Sequence, residues 1–373
     1  RHQFSADSVF HWARSTAWCD SSHVLHYQIA TPQGKKFITY DAVKDELKSY
    51  DSQVAMEKAL GIKPRKDNGY KPRFGRRHER HWMEVDEEHD AYPVTSPDGK
   101  WEAYIEGYNV VLHEAGKPYT QAKRILTQDG TIGCYYSNRI QWSPDGKHIF
   151  VYKRIPVEKR YAYYVESSPA DQLQPILHKQ EYAKPGDQLP QRLPVIIDVQ
   201  TGRKVEADQH LIENQYDLDW MQWTPDGKEV TMEYNKRGHQ LYQMLAMNAE
   251  TGKLRTVVEE RANTFVNYGR IWRQFINDGK QLLWTSERDN WNHLYLYDVQ
   301  KGKLIRQITK GNWFVRGIQR VDETNGTIYF TASGVNPKED PYQIHYYKIG
   351  IDGKNLVALT PEDGNHSAKY SYD

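Results

Sequence analysis

The sequence predicts an all-β fold, a β-propeller of four-stranded blades, and three observations predict it. A turn phrase recurs at Thr95-Ser96-Pro97-Asp98-Gly99-Lys100, Trp142-Ser143-Pro144-Asp145-Gly146-Lys147, Trp223-Thr224-Pro225-Asp226-Gly227-Lys228 and Ile276-Asn277-Asp278-Gly279-Lys280. A second phrase runs out of step with it, at Asp198-Val199-Gln200-Thr201-Gly202-Arg203, Asn248-Ala249-Glu250-Thr251-Gly252-Lys253, Asp298-Val299-Gln300-Lys301-Gly302-Lys303 and Ile351-Asp352-Gly353-Lys354. Its glycines fall at 202, 252, 302 and 353, every 50 or 51 residues. Aromatic residues make up 13% of the chain, which favours strands over helices.

The chemistry of the first phrase is that of a hairpin turn: Pro presets φ, Asp tolerates the bridge region and Gly supplies φ > 0. Two such turns per repeat make two hairpins, and segments such as Val230-Thr231-Met232-Glu233-Tyr234 alternate with period two between them. Four strands in roughly 50 residues is one propeller blade. A solenoid would need helices or parallel strands, and a two-sheet sandwich would not keep so regular a repeat.

Taken in order, Val24 to Ile29 and Lys35 to Thr39 flank Pro32-Gln33-Gly34 as a hairpin. A helix is expected between Asp41 and Leu60, because Val43, Leu47, Tyr50 and Val54 fall at helical spacing before Gly61. His81 to Val85 reads as a strand, so two degenerate blades precede the repeats. Clear blades then cover 91–128, 138–207, 216–258, 266–309 and 313–360, which makes seven. His366 to Asp373 resembles the first strand of a truncated eighth, all within one domain over 1–373.

Charge and motifs exclude several functions. With 50 Lys+Arg against 49 Asp+Glu the net charge is +1, so there is no basic field for nucleic acid. No apolar run approaches the roughly 18 residues a membrane span needs. The chain opens at Arg1 without Met or an apolar leader core, which is compatible with a removed signal peptide and a periplasmic or extracellular location. Cys19 and Cys134 make neither a disulfide framework nor a metal knuckle. No serine has the flanking glycines of a nucleophile elbow, and no HExxH or phosphate-cradling loop occurs, so the chain carries no catalytic set. His78, His81 and His89 fit no standard metal spacing and sit among arginines, and the basic run Lys63 to Arg80 reads as a linker or surface face. No metal and no organic cofactor is expected.

The interval between Asp145 and Asp226 is some thirty residues too long for one repeat and holds the most distinctive text. It contains Arg154-Ile155-Pro156-Val157-Glu158-Lys159-Arg160, Tyr163-Tyr164-Val165-Glu166-Ser167-Ser168-Pro169, Gln172-Leu173-Gln174-Pro175 and Tyr182-Ala183-Lys184-Pro185-Gly186-Asp187. This resembles the N-terminal propeller of the dipeptidyl peptidase IV branch of the prolyl oligopeptidase family of serine peptidases, where such a segment inserts into the fourth blade. Leu283-Trp284-Thr285-Ser286-Glu287-Arg288-Asp289 and His293-Leu294-Tyr295-Leu296-Tyr297-Asp298 are similar to that family's sixth-blade signature. The likeness is close over 91–373 and loose before.

The resemblance implies an eight-bladed propeller that gates a following α/β-hydrolase, the pair cleaving dipeptides from peptide N-termini. The expected partners are therefore that C-terminal hydrolase, a peptide substrate and a second copy of the chain. The rival is a free-standing secreted propeller that binds protein or glycan without peptidase activity. The insertion 155–190 would be a dimer arm with Tyr161, Tyr163 and Tyr164 as its anchor. One departure stands out: the family's glutamate pair, which grips the substrate's amino terminus, has no counterpart in Ile132-Gly133-Cys134-Tyr135-Tyr136-Ser137-Asn138-Arg139-Ile140-Gln141. A buried ammonium without a counter-charge costs several kcal/mol, so the anchor must lie elsewhere. Glu158 and Glu166 are the candidates by sequence, with Tyr135 and Tyr136 lining the pocket.

Overall fold

A computed structural model describes residues 13–19, 23–31, 34–61, 93–118 and 122–368. The chain divides into two compact units, one of Arg1–Glu79 with Asn365–Asp373 and one of Arg80–Gly364.

In the smaller unit the expected hairpin is part of a complete four-stranded antiparallel sheet, Ala13–Trp18, Val24–Thr31, Gly34–Asp41 and Glu46–Tyr50, paired in that order. The helix is shorter than expected, only Gln53–Ala59. Asp41 Oδ1 accepts from the Val43 and Lys44 N–H groups at 3.1 Å each, which turns the chain back on itself. Residues 46–50 then pair with 37–41 as the fourth strand. Val43, Leu47 and Val54 are 69%, 60% and 74% exposed, so their spacing marks no buried stripe. The helix begins where Ser52 Oγ accepts the Ala55 N–H, and the side chain it buries is Met56.

Besides a two-stranded sheet, the larger unit holds five blade-like sheets of four or five strands among the described residues. The second sheet runs over 94–125, the third over 135–206, the fourth over 215–261, the fifth over 273–307 and the sixth over 314–358, with strands in sequence order except that residues 135–136 of the third pair with 153–154, off that order. The expected strand at His81–Val85 lies outside the described residues, as does most of His366–Asp373, of which His366–Ala368 is irregular. Apolar side chains alternate across each sheet and fill the layer between it and the next. Ile149 and Val151 pack with Ala103 and Leu112 of the second sheet, whereas Phe150 and Tyr152 pack with Leu218 and Met232 of the fourth. The same sharing joins fourth to fifth and fifth to sixth.

Both repeated phrases work between blades. Trp142 Nε1 donates to Val94 O at 2.8 Å and Trp223 Nε1 to Gln141 O at 3.3 Å, so each indole covers a carbonyl on the inner edge strand of the preceding sheet. The glycines of the second phrase face the outer strand of the preceding blade. Gly252 has φ +71°, and a methyl group there would overlap the Glu206 carbonyl oxygen. An arginine beside each outer strand closes the same seam: Arg124 donates to Gln200 O, Arg203 to Glu250 O at 2.8 Å, Arg255 to Val299 O at 2.8 Å and Arg306 to Asp352 O at 3.1 Å.

Candidate functional site

The third sheet carries the insertion. Strands His148–Ile155 and Gln191–Asp198 pair along their whole length, and the chain between them leaves as a separate two-stranded sheet, Tyr161–Glu166 with Ile176–Glu181. Alternation splits its tyrosines. Tyr161 and Tyr163 share a face, ring centroids 6.4 Å apart, with Lys179 Nζ 4.9 Å from the Tyr161 ring. Tyr164 lies on the other face, stacked on His178 at 5.0 Å. Tyr163, Val165 and Leu177 are exposed together on the first face, beside Lys179.

The two arm glutamates do not join Tyr135 and Tyr136. Glu166 is held by His178 Nε2 at 2.8 Å, and Glu158, 81% exposed, lies 3.6 Å from Arg160. Tyr135 and Tyr136 form a two-residue strand against Arg154 and Lys153. Tyr135 is half-buried with its ring 6.3 Å from Tyr108; Tyr136 is buried and donates its hydroxyl to Asp129 Oδ1 at 3.0 Å. Asp129 Oδ2 accepts from Lys153 at 2.6 Å and Lys204 at 2.7 Å. Burial opposes ionisation there, but those hydrogen bonds hold the carboxyl well below its usual range. Asp129 therefore fastens the Tyr135–Tyr136 connection to the third sheet.

Sequence reasoning missed a charged seam at the head of the fourth sheet. Its inner strand, Gln215–Trp223, places Asp217 and Asp219 against arginines of the third sheet and its approach: Arg192 Nη1 lies 2.6 Å from Asp217, and Arg139 pairs with Asp219. On the next strand Glu233, 6% exposed, meets Arg273 of the fifth sheet and accepts the Tyr242 hydroxyl. Burial outweighs Arg273 and pushes the Glu233 carboxyl up to about 7. Trp220 sits at φ +53°, beside a register shift in its strand, with the Arg273 guanidinium 4.3 Å from its ring and Phe275 stacked at 6.2 Å. It lines an open cavity of about 570 Å³, with Trp142, Gln141, Gln222, Thr95 and Val94. The only signal in sequence is a pair of aspartates two apart in a strand, which by itself says nothing of the partner blade.

The family model for the dipeptidyl peptidase IV (DPP IV) N-terminal region matches residues 71–373. Dipeptidyl peptidase 4 of Arthroderma otae is 35% identical over 98 residues, covering 26% of this chain and 12% of the relative. That of Trichophyton rubrum is 34% identical over 98 residues, with the same coverage of 26% and 12%. The matched segment thus spans about an eighth of each relative's length. The crystal structure of Porphyromonas gingivalis dipeptidyl peptidase 4 superposes with a TM-score of 0.55 at 17% identity, over 97% of this chain and 45% of that one, a likeness of fold. Blade repeats, inserted arm and family match agree, and the chain belongs to the DPP IV N-terminal region family.

Proposed function

We propose that this chain is the substrate-gating and dimerising propeller of an exported dipeptidyl-peptidase-like serine peptidase, acting with a C-terminal hydrolase on peptides. The observation that carries the dimerising role is the arm: a free-standing hairpin exposing Tyr163, Val165, Leu177 and, at its tip, Leu173. Exposed apolar groups on one face of a projecting hairpin favour burial against a partner. The kinship with longer dipeptidyl peptidases supports the gating role. For peptide contact the candidates are Tyr135, positioned by the buried Tyr136, and Glu158 and Glu166 on the arm. Of the two glutamates Glu158 is the freer, since Glu166 already accepts from His178.

Light scattering tests the dimer. The intact chain is expected to be dimeric at micromolar concentration, and a variant with 158–188 replaced by a short glycine-serine turn monomeric. A monomeric intact chain sinks this reading. In a longer protein that contains the hydrolase, a free-amine preference for Xaa-Pro substrates unchanged by Glu158→Gln and Glu166→Gln would remove those glutamates as anchors.

A further inference from the structure

Two arginines of the larger unit lack the counter-charge that their neighbours have. Arg139, Arg192 and Arg273 are each paired with a carboxylate at the blade seams, as is Arg288 with Glu260. Among the described residues Arg270 has no side-chain hydrogen bond or ion pair, and Arg316 has one, from Nε to the Ser333 hydroxyl at 2.9 Å. Both are exposed. Yet the two guanidiniums gather at one ring, with Cζ atoms 5.7 Å and 5.3 Å from the centroid of Phe314.

The fold brings them there from different blades. Arg270 ends the short 3-10 turn Tyr268–Arg270, just before the inner strand of the fifth sheet. Phe314 and Arg316 open the inner strand of the sixth, where Phe314 pairs with Ser333 at the end of the second strand. The arm leaves the third sheet at the corresponding place, after the second strand. Both guanidiniums are thus presented on the side of the sheets from which the arm projects. Cation–π contact with Phe314 holds them in place but neutralises neither. Two like charges gathered without an anion are an electrostatic cost that an anionic ligand would relieve. The planar fork of guanidinium donors matches a carboxylate bidentately.

We propose that Arg270 and Arg316, gathered on Phe314, bind a carboxylate of a peptide. That the ligand is a peptide rests on the function proposed above; the preference for an anion rests on the two unpaired arginines. The carboxylate comes either from an acidic side chain or from a C-terminus, and the experiment separates them.

Fluorescently labelled pentapeptides, acetylated and amidated and carrying Glu or Gln at the central position, are titrated into the 373-residue chain by anisotropy, alongside the Gln peptide with a free C-terminus. One of the two acidic peptides is expected to bind at least about tenfold more tightly than the neutral one, by the strength of charge-assisted pairs. Which one gains names the source. The preference should shrink with added salt and fall to less than about threefold in Arg270→Gln/Arg316→Gln, with the single variants between. Thermal melts confirm that the variants, altered at exposed positions, stay folded. Equal binding of all three peptides, or a preference surviving in the double variant, overturns the proposal. So does binding of inorganic phosphate without a gain for either carboxylate. Arginine-dependent binding of an acidic peptide by a chain that proves monomeric with its arm intact would leave this proposal standing and sink the dimer.

Discussion

Arg237 holds Lys184: its Nη2 donates to the Lys184 carbonyl at 3.2 Å, and its Nη1 donates to the Asp187 carbonyl three residues on. Arg237 lies on the turn after the second strand of the fourth sheet, so that blade grips the returning root of the arm. Lys184 and Asp187 form the receiving turn, the Lys184 N–H donating to Asp187 Oδ2 at 2.8 Å. Gln215 and Arg192 add a reciprocal pair, 2.9 Å each way between side chain and backbone. The Tyr182-Ala183-Lys184-Pro185-Gly186-Asp187 segment therefore has a structural task, to shape a clasp for the neighbouring blade.

Arg237→Ala should loosen the arm without unfolding the blades. Losing hydrogen bonds from a charged donor costs about 1.5–3 kcal/mol locally. Amide exchange across 182–190 should speed up and limited proteolysis of the arm should accelerate, with little change in the melting temperature of the whole chain. Unchanged exchange would show that Gln215 and Arg192 suffice.

Gly252→Ala should destabilise the chain more than Gly116→Ala. Both glycines have positive φ, +71° and +80°, but a methyl group at Gly252 strikes the Glu206 carbonyl whereas at Gly116 it meets open space. The left-handed backbone alone costs about 1–2 kcal/mol, the expected loss at Gly116. At Gly252 the clash adds to it, for a total of about 3 kcal/mol or more by urea denaturation. Equal losses would show that the seam yields.

Glu233→Gln should flatten the dependence of stability on pH. The folded carboxyl titrates near 7, above its unfolded value, so the folded state binds its proton more tightly. The stability linked to this proton is fully present below the unfolded value and is lost as pH rises to about 7. Each unit by which the pKa is raised corresponds to about 1.4 kcal/mol. Wild type should therefore lose stability relative to Glu233→Gln between about pH 4.5 and 7 in chemical melts. Parallel profiles would mean that Arg273 keeps Glu233 ionised throughout.

Asp129→Asn should weaken the connection that carries Tyr135 and Tyr136. The Asp129 carboxyl is depressed by its lysine partners, so its contribution is present above the unfolded value and lost as pH falls toward the folded one. Because its side chain is 38% exposed, solvent screening reduces the effect to about 1 kcal/mol at neutral pH. Faster amide exchange over 129–136, with the arm unaffected, is the expected signature.

The blades were legible in the sequence because their marks are local. Pro-Asp-Gly turns and glycines every 50 or 51 residues report backbone angles that a few adjacent residues impose, and period-two alternation reports which side chains fill the layer on each side. The arm was legible as an interruption of that repeat. The helix was overextended because Val43 and Leu47 mimic helical spacing while Asp41 turns the chain into a fourth strand, a choice made by pairing with residues 37–41. The partners in the charged seam and in the Arg270–Arg316 pair could not be read from the sequence. Arg139 and Asp219 are 80 residues apart, and Arg270 meets Phe314 across two blades; only the stacking of sheets brings such groups within a few ångströms, where burial and charge acquire their energies.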